Sequence, residues 1–324
     1  MTKFMLSAIL VASAVGSTVA AQTLLVLNKE GNVAIVDPKS QTVLGRAPTG
    51  EGPHEVIATT DGKLAVASNY GTAQNPGHTL SVIDIATRKE IHRVDVAPLE
   101  MPHGLFAADG KVYFTAERNK IIARYDPATN RVDWMLGTGQ DRTHMVALSK
   151  DHSLIFTTNV NSGTITIFDR AGNPPDWRAN VVKVGPGAEG FDISPDEKQL
   201  WTANAGDGTV SIVDIAKRET VATFNIASKR SNRLKFTPDG KTALVSDLTS
   251  GEVIVVDVAT RKATKRLAVG RGVAGILIQP DGKTAYAAAT GDNWVSVIDL
   301  KTLEVTGKIS TGTGPDGMDW IGTR

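Results

Sequence analysis

One phrase, Leu200 to Asp214 (LWTANAGDGTVSIVD), recurs in altered spelling along the whole chain. It reads as a short apolar strand, a polar turn at Asn204 to Asp207, and an alternating strand closing on Asp214. The closing run returns as VAIVD (33–37), LSVID (80–84), IARYD (122–126), ITIFD (165–169), VIVVD (253–257) and VSVID (295–299). Successive closing aspartates lie 47, 42, 43, 45, 43 and 42 residues apart. A period of about 40–45 residues made only of strand and turn is the signature of one four-stranded propeller blade per repeat. Seven copies predict an all-β chain, a seven-bladed β-propeller with antiparallel four-stranded blades.

Within each repeat the innermost strand follows a Gly/Pro-rich loop such as Thr49-Gly50-Glu51-Gly52-Pro53-His54 and runs to a tight turn. Asp-Gly marks that turn at 61–62, 109–110, 239–240 and 281–282, because glycine takes the positive φ it requires. The second strand follows (LAVASN, VYFTAE, LIFTTN, LWTAN, TALVSD, TAYAAAT), then the VSVID-type third strand and an outer fourth. The two ends of the chain complement one another. Gly314 to Ile321 reads as an entry loop and inner strand with nothing after it, whereas Thr23–Asn28, Val33–Asp37 and Thr42–Arg46 read as strands two to four with no first. One C-terminal strand is therefore expected to join three N-terminal ones, which removes two open sheet edges.

These repeats resemble the YVTN family of exported seven-bladed propellers (YncE-like), whose unit runs roughly G-x-x-P, Asp-Gly, Y-V-x-N and V-x-V-I-D. The resemblance covers residues 23 to 321. It implies the fold and says little about activity, since propellers of this kind include binding proteins, lactonases and the propeller of nitrous oxide reductase. No second strand spells the tetrapeptide literally, and Glu117 and Thr290 read as standing where the family has asparagine.

Residues 1–21 read as a cleaved signal peptide rather than part of the fold, with residues 22–324 as a single propeller domain. Lys3 supplies the positive start, Phe4 to Val15 the apolar run, and Val19-Ala20-Ala21 the small-residue cleavage site. No later stretch reaches membrane length, so a periplasmic or secreted protein with no membrane span is expected. Removing Lys3 leaves 34 basic residues against 34 acidic ones, which argues against nucleic acid as a partner. The chain has no cysteine, which excludes disulfides, thiolate ligands and covalently attached haem. No nucleotide-binding loop, nucleophile elbow or His-Glu-x-x-His helix is present. A monomer is expected.

In a propeller the residue entering each inner strand borders the central channel. Aligning the seven entries selects His54, His103, His144, Glu189, Asn232, Ala274 and Asp316. Three histidines at equivalent places on successive blades, with Glu189 beside them, suit a divalent transition metal: zinc, copper, iron or nickel. The same pattern also fits histidines inherited by duplication, or a metal-free site for a small polar ligand. Asn232, Asp316, Arg142, Arg233 and His78 are candidate ligand-binding residues; His78 reads as part of a long loop running from Tyr70 to Thr79. Arg118 and Arg271 are further cations of the same loops. Glu117 and Glu189 are the candidate catalytic bases. The strand-end aspartates and the five tryptophans read as turn caps and inter-blade packing. Three functions follow: an exported binding protein for a metal ion or small polar molecule, which the residues favour; a metal-assisted hydrolase or lactonase using the same arc; or a scaffold whose loops dock another exported protein.

Overall fold

The repeating strand pattern folds as its period requires. A computed structural model describes residues 22–171 and 176–322, and every element among them is a strand. The segment read as a signal peptide lies outside the described residues. No helix among those described is long and apolar enough to cross a membrane.

Seven four-stranded antiparallel sheets follow one another around a ring. The first is β1 (Thr23–Asn28), β2 (Asn32–Asp37) and β3 (Thr42–Pro48), with β28 (Pro315–Ile321) as its innermost strand. Trp320 pairs with Leu24 and Met318 with Val26, so the two ends of the chain close the ring together. The other six blades each take four consecutive strands in chain order, with inner strands β4 (Pro53–Ala58), β8 (Pro102–Ala108), β12 (Thr143–Leu148), β16 (Ala188–Ile193), β20 (Ser231–Phe236) and β24 (Val273–Ile278).

Burial follows position within the blade. The second strand is sandwiched by both neighbouring blades, so β17 (Gln199–Asn204) is buried at every residue after the first. The outer strand β19 (Glu219–Asn225) has one face in water and alternates along its length. The core lies between blades. Trp201 is buried edge-on against Phe224 of its own blade and Phe236 of the next. Tyr286 of the last full blade stacks on Trp320 of the shared one. A buried side chain of this size contributes on the order of 1.5–3 kcal/mol. The strand-end aspartates cap turns as expected: Asp37, Asp84 and Asp257 each accept a backbone N–H two or three residues on. Asp169 departs from the others, taking Arg178 and Arg218 instead.

One irregularity repeats in all seven blades and positions everything that follows. Each inner strand carries an extra residue near its start, so two residues oppose one on the second strand. The bulged pairs are His54-Glu55, His103-Gly104, His144-Met145, Glu189-Gly190, Asn232-Arg233, Ala274-Gly275 and Asp316-Gly317. A bulge leaves a backbone N–H without a ladder partner, and a hydroxyl on the second strand takes it. Gly104 N–H donates to Thr115 Oγ1 (2.9 Å), Met145 N–H to Thr158 Oγ1 (3.2 Å) and Arg233 N–H to Ser246 Oγ (2.9 Å). Each hydroxyl then donates to the carbonyl of the entry residue one blade further on: Thr115 to His144 (2.7 Å), Thr158 to Glu189 (2.8 Å) and Ser246 to Ala274 (2.7 Å). Glycine in the second bulge position lets the neighbouring inner strand approach. A Cβ on Gly190 would sit 2.3 Å from the Asn232 carbonyl oxygen.

Candidate functional site

Because the bulge is the same in every blade, the seven entry residues face one place. His54, His103, His144, Glu189, Asn232, Ala274 and Asp316 all line a single cavity of about 170 Å³ at one mouth of the channel. The three imidazoles form a row. Ring centroids are 5.1 Å apart from His54 to His103 and 4.0 Å from His103 to His144. His103 and His144 are 2% and 1% exposed.

Glu117 organises the row from behind. One carboxylate oxygen meets His144 Nδ1, and the other accepts from the Tyr70 hydroxyl (2.5 Å) and from Arg142 Nε (3.3 Å). Burial alone would raise this carboxyl, but His144, Arg142 and Tyr70 outweigh it and hold it at about 2. A carboxylate can only accept, so His144 donates Nδ1–H to Glu117 and turns Nε2 to the far side of the ring. That Nε2 has no hydrogen-bond partner; the Glu189 oxygen at 3.8 Å is too distant for one. His103 Nδ1 is likewise buried and unpartnered. One ligand atom from each of His103, His144 and Glu117 lies within 4.8 Å of the others. Burial lowers His54 to about 4, against the pull of Asp316, and lowers His103 well below its usual range. Both rings are therefore neutral at pH 7, the form in which imidazole binds a metal.

The remaining entry residues sit in a charged network. Asn232 donates to Glu189 (2.8 Å), and Asp316 pairs with Lys29 (3.0 Å) and lies 3.4 Å from His54 Nδ1. Burial would raise the Asp316 carboxyl, but Lys29, His54 and Arg233 keep it low. Arg233, the second bulge residue of its blade, reaches across the channel to Glu55. Their blades are not neighbours in the ring, so the pair spans the channel as a strut. Arg233 lines both the upper cavity and a second one of about 370 Å³, whose lining also includes Glu55.

Some expectations need correction. His78 is not in a loop: β5 (Leu64–Gly71) and β6 (Pro76–Asp84) extend as a hairpin, and His78 lies on β6, half exposed and bonded to Asp95 at 2.9 Å. It does not line the cavity. Arg118 pairs with Glu100 and Arg271 with Asp292, and neither lines the cavity. Glu117 does not replace the repeat asparagine either. By pairing register that place belongs to Ala116, and to Ala289 rather than Thr290 in the last full blade. The true asparagines tie loops between blades, as when Asn69 accepts from Gly50 N–H and donates to Thr79. Glu117 occupies the following position, shared with Tyr70, Leu248 and Lys29, all three of which line the cavity. Lys29, Tyr70 and Arg230 are the residues that sequence reasoning missed. Their shared repeat position with Glu117 was the signal available for the first two.

Comparison with known proteins agrees with this architecture. The family model described as YNCE-like beta-propeller matches residues 107–283, more than half the chain. A second model, described as outer membrane protein assembly factor BamB, matches residues 6–136. No curated protein matches the sequence. Among solved structures, Kuenenia stuttgartiensis hydrazine synthase aligns with a TM-score of 0.74 at 18% identity, covering 90% of this chain and 99% of that one. A Desulfotomaculum acetoxidans protein of unknown function aligns at 0.77 and 12%, covering 93% and 99%. A provisionally assigned 6-phosphogluconolactonase from Bacteroides uniformis aligns at 0.77 and 16%, again covering 93% and 99%. At these identities the likeness is one of fold.

Proposed function

The chain belongs to the YNCE-like β-propeller family, and on that premise we propose that it is a binding protein holding a divalent transition metal ion at one mouth of its channel. The observation that carries this reading is the pair of buried, unpartnered imidazole nitrogens, His144 Nε2 and His103 Nδ1, bordering one cavity. Leaving two such groups unsatisfied costs about 1–3 kcal/mol each, which a bound ion would relieve. His54 and Glu189 complete a donor set suited to zinc, copper, nickel or iron. Glu117 plays the part that carboxylates commonly play behind metal-bound histidines, fixing the tautomer and the ring orientation.

The same contacts favour binding over lactone hydrolysis. Glu117 is occupied by His144, Tyr70 and Arg142, which removes one of the two candidate bases. Export belongs to the reading as well: the leader-like residues 1–21 would deliver the protein to the periplasm or beyond, where a chain without cysteine has no thiol to protect. The test is calorimetric titration of chelator-treated protein with Zn²⁺, Ni²⁺ and Cu²⁺. One equivalent should bind, and His103→Ala should weaken it by at least tenfold. Absence of saturable binding by any of the three would end the metal reading.

A further inference from the structure

The charges around the mouth bear on what accompanies the ion. Lys29, Arg142, Arg230 and Arg233 line the cavity, and so do Glu189 and Asp316. Two more carboxylates stand immediately behind: Glu117 on Arg142 and Glu55 on Arg233. Four cations thus meet four carboxylates, and a histidine that ligates an ion does so as uncharged imidazole. Adding a divalent ion leaves two positive charges in excess. In a partly enclosed site an excess of that size draws in counter-charge.

The arrangement also says where that counter-charge sits. Glu55 and Glu117 lie on the floor and wall sides, already committed. The cations of the rim are more available: Arg230 is exposed and has no side-chain partner among the described residues, and Arg142 and Lys29 are each partly open to solvent. Arg142 and His144 grip opposite oxygens of the same Glu117 carboxylate. The guanidinium is therefore tied to the Nδ1 edge of the ligating imidazole, and both residues line the same cavity, where a short two-ended anion can reach Arg142 and an ion on Nε2 together. A cavity of about 170 Å³ holds roughly six waters at ~30 Å³ each, room for two carboxylates with little chain between them. Planar carboxylates also match the fork of an arginine.

We infer that the ion's partner is a small dicarboxylate, one end on the metal held by His103 and His144 and the other on the rim cations Arg142 and Arg230. This rests on the metal reading above and goes further in naming the ligand class.

The test uses purified protein titrated with malonate, with and without one equivalent of zinc, and with oxalate, acetate and inorganic phosphate as comparators. Zinc loading should tighten malonate at least tenfold, and acetate should bind the loaded protein at least tenfold more weakly than malonate. Arg230→Ala, which removes no hydrogen bond, should lose about tenfold in malonate affinity, and Arg230→Lys should recover part of it; the zinc isotherm of each variant reports an intact fold. Zinc-loaded protein that binds malonate no better than acetate, that prefers phosphate, or that surrenders its zinc to malonate overturns this inference and leaves the metal reading standing. Malonate bound equally with and without zinc overturns the coupling proposed here. Protein that binds neither zinc nor malonate overturns both.

Discussion

At the scale of single residues, the account turns on how Glu117 holds His144. Glu117→Gln keeps the shape but removes the charge that fixes Nδ1–H, and should cost 10–100-fold in metal affinity with little loss of fold. Competition with a chelator of known affinity would read this directly; an unchanged affinity would make Glu117 a bystander. His54 supplies a second prediction. Burial lowers it to about 4 in the folded protein, while the unfolded chain titrates near 6.5. Between those values the unfolded state binds more protons, so the stability of metal-free protein rises with pH and is lost as pH falls from 6.5 towards 4. His54→Asn should lessen that slope and leave the share that His103 contributes, seen in urea midpoints collected across the window. The choice of His54, His103 and His144 was legible because each occupies the same place in its repeat. The role of Lys29 and Tyr70 was not, because Glu117 was read one register position too early, in the place that pairing gives to Ala116.

At the scale of the element, the bulged inner strand does the positioning. Its extra residue is invisible in sequence, since two residues opposing one shows only when strands pair. The hydroxyl that repairs the bulge is a plain Ser or Thr in a run of buried residues, easily taken for ordinary strand composition. Thr115→Val should expose its importance: it orphans Gly104 N–H and the His144 carbonyl together, at about 1–3 kcal/mol for each unsatisfied group. Thermal unfolding would report the loss, and zinc affinity should fall beyond it because His144 is no longer tethered. Gly190→Ala tests the close approach of strands. Its Cβ would collide with the Asn232 carbonyl, so a clear fall in melting temperature is expected, whereas the same change at Gly137, which faces open space, should be near neutral.

At the scale of the whole molecule, the period of the repeat made the ring and its closure legible, down to the shared blade in which β28 joins β1. What the period could not show is the strut across the channel. Glu55 and Arg233 are 178 residues apart and belong to blades that are not neighbours, so no repeat alignment would pair them. Both are buried, and removing one leaves the other as an uncompensated charge. Arg233→Met should therefore cost about 3–5 kcal/mol, and Glu55→Gln in the same chain should restore much of it. A double-mutant cycle by denaturant unfolding measures the coupling. Convergence of seven equivalent residues on one cavity is thus a property of the closed ring, and it is this convergence that gives the imidazoles a common target.

X-ray absorption at the zinc edge of loaded protein examines that target most directly. The account predicts at least two imidazole nitrogens at about 2.0–2.1 Å, with oxygen ligands filling the shell, and loss of imidazole-ring scattering in His103→Ala. A shell of oxygens alone, or a spectrum unmoved by that substitution, would contradict it.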